Sequence, residues 1–245
     1  MISTEINNLL NFKVNNNDSL LFTSKDEQTQ WWNMINSNNS FQPLITEIKE
    51  EADRLLQESN QELTYSLFKI FEEKGSRLEY EKVYFARRRR LNTFAIVTLL
   101  NPQNPIYLEE LHNSIWSICN EFTWCLPAHL KNSSETSTDI NYRLQQKEEL
   151  ITIDLFSAET AFTLSEILTL TKDYLDPLIC KRIRQEIHHR IFWPFQNQQP
   201  FDWEKATHNW GAVCAGSVGS AALHLLEDHN ELNQSILHKL LPNYV

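Results

Sequence analysis

The sequence predicts an all-α protein made of antiparallel helical hairpins packed side by side, and three observations predict it. The chain holds only 4 Gly and 8 Pro in 245 residues, too few for the closely spaced turns of an all-β architecture. Apolar residues recur three and four positions apart in segment after segment, the period of a helix that buries one face. No segment reads convincingly as a strand, and no fixed short repeat of the tetratricopeptide kind is present.

Residues 1–40, rich in Asn and Ser, read as a loosely structured lead-in anchored by the pair Trp31 and Trp32, and residues 41–245 as the helical domain. The first helix runs from Phe41 to Leu56, with Leu44, Ile45, Ile48, Ala52 and Leu55 at helical spacing. A second, through Leu63 to Phe71, ends near Gly75, a residue type that suits a helix C-terminus. "YEKVYFARRRRLNTFAIVTLLNP" is a strong helix that stops before Pro102. "IYLEELHNSIWSICNEFTW" follows, with Leu108, Leu111, Ile115, Trp116 and Cys119 along one side.

"CLPAHLKNSSETSTDIN" breaks the period with Pro127 and a polar run, so it reads as a loop. "TIDLFSAETAFTLSEILTLTKDYL" is a long helix facing Leu155, Ala158, Phe162, Leu164, Ile167 and Leu168 inward. "PLICKRIRQEIHHRIFWPF" opens on Pro177, suited to a first helical turn, and closes before Pro194. An aperiodic connection leads to the helix of "THNWGAVCAGSVGSAALHLLED", and "LNQSILHKLL" forms a last short helix before Pro242.

At 41% hydrophobic and 22% charged residues, the composition is that of an ordinary soluble domain. The net charge of −10 argues against duplex nucleic acid or an anionic membrane as partner. Cys119, Cys125, Cys180 and Cys214 lack CxxC spacing and sit in apolar surroundings, which suggests buried free thiols in a reducing compartment. The first residues lack a basic start followed by an apolar run, so no secretory signal is expected. The longest apolar segment, "FAIVTLL", is too short for a bilayer. The expected location is cytoplasmic, away from membranes, and homo-oligomerisation is compatible with the sequence.

Three of the four glycines, Gly211, Gly216 and Gly219, follow His208, Asn209 and Trp210. A phosphate loop fails because Ser217 stands where its Lys is required, and the dinucleotide pattern GxGxxG is absent. Close packing of this helix against neighbours is the better account of the glycines, since each helix-interior Gly costs up to about 1 kcal/mol against Ala. Asn209, at or near the helix start, reads first as an N-cap; Thr207 in that role would free Asn209 to face a cleft. His208 and Trp210 read equally as a satisfied histidine and a core aromatic.

Trp124 and His129 flank the proline-containing loop, either as a sugar-stacking ring and a hydrogen-bond donor at a pocket mouth or as a buried Trp and an exposed His. The run Arg87 to Arg90 reads as a solvated helix flank whose stems cover apolar surface. Glu186 and His189 have the spacing of half a carboxylate-bridged metal site, but no second copy exists, so no metal is expected. No other cofactor is implied. Glu159 is either a carboxylate partnered in a cleft or a residue of the wet helix face. Together with Asp154 it forms the pair that a glycoside hydrolase would need, but both lie on one helix.

"ICNEFTWCLPAHL", "IDLFSAETA" and "HNWGAVCAGSVGSAAL", in that order, resemble the helical N-terminal domain of heparinase II/III-like polysaccharide lyases over about residues 80–227. The resemblance implies an incomplete (α/α) toroid of antiparallel helix pairs and β-elimination on uronic-acid-containing polysaccharides. In that chemistry a proton leaves C5 beside a carboxylate, which must be hydrogen-bonded or neutralised as the enolate develops. Asn209 matches the carboxylate-neutralising Asn, with His208 and Trp210 as neighbours lining the cleft and Trp124, His129 and Glu159 as further substrate contacts. The family's catalytic Tyr and its β-sandwich domain lie downstream of the matched region. This chain is therefore expected to be part of a carbon–oxygen lyase for uronate oligosaccharides, or a non-catalytic glycan-binding or scaffold relative.

Overall fold

The computed structural model describes residues 21–130, 152–198, 200–205, 207, 209–225 and 235–240. The protein is all-α, and no strand occurs among the described residues. Its helices are α1 (Lys25–Ser37), α2 (Gln42–Leu56), α3 (Tyr65–Lys74), α4 (Leu78–Leu100) and α5 (Pro105–Cys119). After a 3₁₀ turn at Pro127–His129 come α6 (Leu155–Thr171), α7 (Pro177–Ile187), α8 (Trp193–Asn197), α9 (Asp202–Lys205), α10 (Trp210–His224) and α11, residues 235–240. No helix among the described residues is long and apolar enough to cross a membrane.

The helix boundaries have local causes. Thr64 caps α3 by accepting from Leu67 N, and Gly75 ends it with φ 68°, the left-handed turn that glycine adopts without strain. Asn104 and Asp176 cap α5 and α7, each ahead of a proline in the first turn, where a missing N–H costs nothing.

Helix α4 is the central element. Tyr84, Leu91, Phe94 and Val97 are all but fully buried, and α2 and α5 pack on it. The four residues 101–104 close α4 and α5 into a helical hairpin. The most extensive pairing joins α6 and α10, elements distant in sequence, through residues that include Ala158, Ala161, Ala221 and Ala222 in one continuous core.

Four sequence expectations are corrected. The lead-in is not loose throughout, because α1 forms over Lys25–Ser37. It docks through side-chain amides, with Gln28 Nε2 donating to Leu170 O at 2.9 Å and Asn36 Nδ2 to Leu100 O at 3.0 Å; Trp31 is 46% exposed, whereas Trp32 is half-buried with its Nε1 covered. Helix α5 ends at Cys119, before the loop that carries Trp124.

Pro194 does not end its helical stretch. A π turn over His188–Phe192 runs directly into α8, with Pro194 in the first turn, where its ring meets no intrahelical donor requirement. The arginine run is a solvated flank only at Arg89, which is exposed. Arg87 and Arg90 are buried, and Arg88 is nearly so, because acidic partners stand opposite them inside the fold.

Candidate functional site

The centre of the site is a carboxylate at a helix start. Asp154 caps α6, accepting from Ser157 N at 2.8 Å, while Ser157 Oγ accepts from Asp154 N. This reciprocal pair satisfies donors that the first helical turn leaves open. The other oxygen of Asp154 accepts from Leu126 N at 3.2 Å and lies 2.7 Å from His129 Nδ1. One buried carboxylate therefore ties the 121–130 loop to α6.

The carboxylate is an acceptor, so the imidazole directs Nδ1–H at it. Nε2 is the ring nitrogen that Asp154 does not engage. The His129 ring stacks on Phe156 (centroids 5.7 Å, interplanar angle 17°) and meets Trp210 at 4.7 Å. Residues of the 121–130 loop, the start of α6 and the start of α10 thus converge.

Asn209 occupies the position before α10 with its side chain exposed and making no cap hydrogen bond. The N-cap reading is corrected on that ground: its φ and ψ of −68° and −7° are helical, whereas a capping side chain needs an extended backbone to turn back onto the first amides. His208 lies outside the described residues. Glu159 stands on the exposed side of α6; partial burial, and then the nearby charge of Asp154, raise its pKa.

Trp124 is the buried Trp of the two sequence readings. It is 1% exposed, its Nε1 donates to Ile118 O at 3.0 Å, and the Arg190 guanidinium lies 5.1 Å from its ring centroid. Burial of this ring leaves no face for a sugar, and the sequence-based stacking role is corrected. The aromatic partner beside His129 is Phe156 instead, which sequence reading passed over because it looked like one more apolar residue of α6.

Tyr84 is the other residue that sequence reading left unassigned. Its ring packs against Phe156 at 6.0 Å and lies under the Arg88 guanidinium at 3.7 Å. Its hydroxyl donates to Trp124 O at 2.9 Å, and burial pushes its pKa up. A phenol tied down in this way does not serve as a base near neutral pH. Beneath it, Glu121 accepts from Arg87 Nε at 2.8 Å and from Arg88 at 2.5 and 2.7 Å.

Glu186 is held by Arg182 at 3.1 Å and Arg190 at 2.5 Å, so its carboxylate is already matched. Among the described residues no three His, Cys, Asp or Glu side chains converge as metal ligands. All four cysteines are free; Cys119, Cys125 and Cys214 are buried, whereas Cys180 is only half-buried. Burial pushes Cys119 and Cys214 up to about 12, which keeps both as unreactive thiols at neutral pH.

Gly219 faces Leu240 Cδ1, 3.3 Å from where a Cβ would lie, and Gly211 faces Trp203 O at 3.4 Å. Close packing thus accounts for these two, but a Cβ on Gly216 would meet nothing within 4 Å. Gly216 faces outward on α10, and the packing account is corrected there. Compared with known proteins, the chain matches no family model and no curated sequence.

Proposed function

We propose that this chain is the helical part of a lyase of the heparinase II/III-like kind, its hairpins forming part of an incomplete (α/α) toroid, that acts on uronic-acid-containing oligosaccharides. One observation carries the reading. The three segments that bear the resemblance meet in space, with His129 bonded to Asp154 and in contact with Trp210, while the adjacent Asn209 side chain is exposed and uncommitted to a cap.

In this reading the Asn209 amide donates to the substrate carboxylate. Its hydrogen bond strengthens as the C5 proton leaves and charge moves onto the carboxylate oxygens. The C5 proton passes to the Tyr that the family carries downstream, the C4–O bond breaks with that proton returned to the departing oxygen, and a C4–C5 double bond forms. Trp210 offers an apolar face to the ring, and His129, oriented by Asp154, offers Nε2 for a hydrogen bond. Tyr84 takes no part as the base, given its buried hydroxyl.

The test is the ultraviolet absorbance of the conjugated unsaturated uronate, followed with uronate oligomers. In a protein that also carries the downstream segment with the catalytic Tyr, Asn209→Ala is expected to lower turnover about 10²- to 10³-fold with the circular dichroism spectrum unchanged. Near-normal turnover in that variant removes the assignment. Saccharide binding without product even when the downstream segment is present selects the non-catalytic glycan-binding or scaffold reading.

A further inference from the structure

A concavity lies between α4 and the segment that follows α2, with a volume of about 690 Å³. Its floor on α4 carries Lys82, Phe85 and Arg89, and its facing wall carries Ser59, Asn60 and Gln61. Lys82 and Arg89 are seven residues apart, which places them on nearly the same helix face, about 10 Å apart along the axis. Phe85 stands between them with 45% of its surface exposed. Its inner edge packs on Tyr84 at 5.4 Å and on Phe156 at 5.6 Å, so the ring is held in place while its outer surface stays open.

Charge matching within the groove is uneven. Arg54 is held by Glu51 and Glu58, and Arg90 by Glu110 and the carbonyls of Leu55 and Glu58. Arg87 binds Glu121 and donates to Gln61 O at 2.6 Å, which fixes the wall against α4. Glu121 serves Arg88 as well, so one carboxylate answers two guanidiniums. Lys82 and Arg89 enter no ion pair with the described residues, although Arg89 is close enough to Glu51 to help lower its pKa. In a chain of net charge −10, this is a concave site with two exposed cations left over.

We propose that this groove binds a sugar bearing an oxyanion, with the sugar ring on Phe85, the charged group between Lys82 and Arg89, and hydroxyls at Ser59, Asn60 and Gln61. An aromatic platform with flanking cations and amide donors has the chemistry for such a ligand. Guanidinium and ammonium groups accept carboxylate, phosphate or sulfate, so the shared feature is the ring-borne oxyanion. The proposal rests on the acidic-saccharide class proposed above but not on the site at Asn209. Phe85 touches Phe156, which stacks on His129, so the groove is two ring contacts from that site.

The test is calorimetric and NMR titration of the full chain with trigalacturonate, with a hexose phosphate, and with glucose as the neutral control. Lys82→Gln/Arg89→Gln changes two exposed side chains, and circular dichroism verifies its fold. At least one anionic sugar is expected to bind, to shift the resonances of Phe85 and residues 59–61, and to weaken at least about tenfold in the double variant. Binding should also weaken with added salt. The arm that binds identifies carboxylate or phosphate as the recognised group.

The proposal is overturned if neither anionic sugar binds, if glucose binds as well, or if the double variant binds unchanged. Asn209→Ala separates the two sites. Loss of trigalacturonate binding there, with the double variant unaffected, overturns the groove and leaves the lyase reading standing. The reverse pattern upholds the groove and removes the role of Asn209.

Discussion

Oδ2 of Asp154 lies 2.7 Å from Nδ1 of His129 while Oδ1 accepts from Ser157 N, so one carboxylate both starts α6 and orients the imidazole. Asp154→Ala removes a cap and leaves the Leu126 N–H without its partner. The expected loss is about 2–5 kcal/mol, read as a lower urea midpoint with an unchanged slope. Nitrogen chemical shifts of the His129 ring should report the Nδ1–H tautomer in the unaltered protein. A predominant Nε2–H form would show that Asp154 does not orient the ring.

Glu121 is the single carboxylate for Arg87 and Arg88, and its side chain is 2% exposed. Glu121→Ala leaves two guanidiniums buried without a counter-charge, an arrangement that costs about 3–5 kcal/mol. Chemical denaturation should show a loss of that size. A loss of under about 1 kcal/mol, typical of a surface pair, would mean that the arginines turn out to solvent without penalty.

Gly216 and Gly219 should respond differently to alanine. A Cβ at 216 meets nothing within 4 Å, so Gly216→Ala should stabilise α10 by about 0.5–1 kcal/mol. At 219 the new methyl would stand 3.3 Å from Leu240 Cδ1, and crowding there should offset the helix gain. Thermal melts that rise equally for both variants would contradict this contrast.

Burial raises the pKa of Glu166, and burial with the charge of Asp154 raises that of Glu159. A carboxyl with a raised folded pKa holds its proton more tightly in the folded state. Its stabilising contribution is present below the unfolded value, about 4.3, and is lost as pH rises through the folded one. Glu166→Gln should therefore raise the Tm at pH about 7, with the difference vanishing below pH about 4. A difference that grows on acidification would reverse the sign.

Local signals were legible where a cause acts within a few residues. Gly75 and Pro177 mark helix ends that the structure bears out, because first-turn proline and left-handed termination are settled within one turn. The period of α4 showed a helix but not that its arginines are buried, since their partners Glu121 and Glu110 come from other segments. Trp124 and Phe156 exchanged roles for the same reason. Either ring satisfies a sequence pattern, and only neighbours distant in sequence decide which one is covered.

The sequence by itself determined an all-α chain and most of its helix boundaries, because periodicity and capping are local and strong. Tertiary structure alone decided that α6 pairs with α10, that His129 leans on Asp154 beneath Trp210, and that Lys82 and Arg89 stay outside any ion pair with the described residues. Those outcomes depend on which helix faces meet. Packing shape and the matching of buried charges fix that choice across the whole molecule, and no window of sequence contains it.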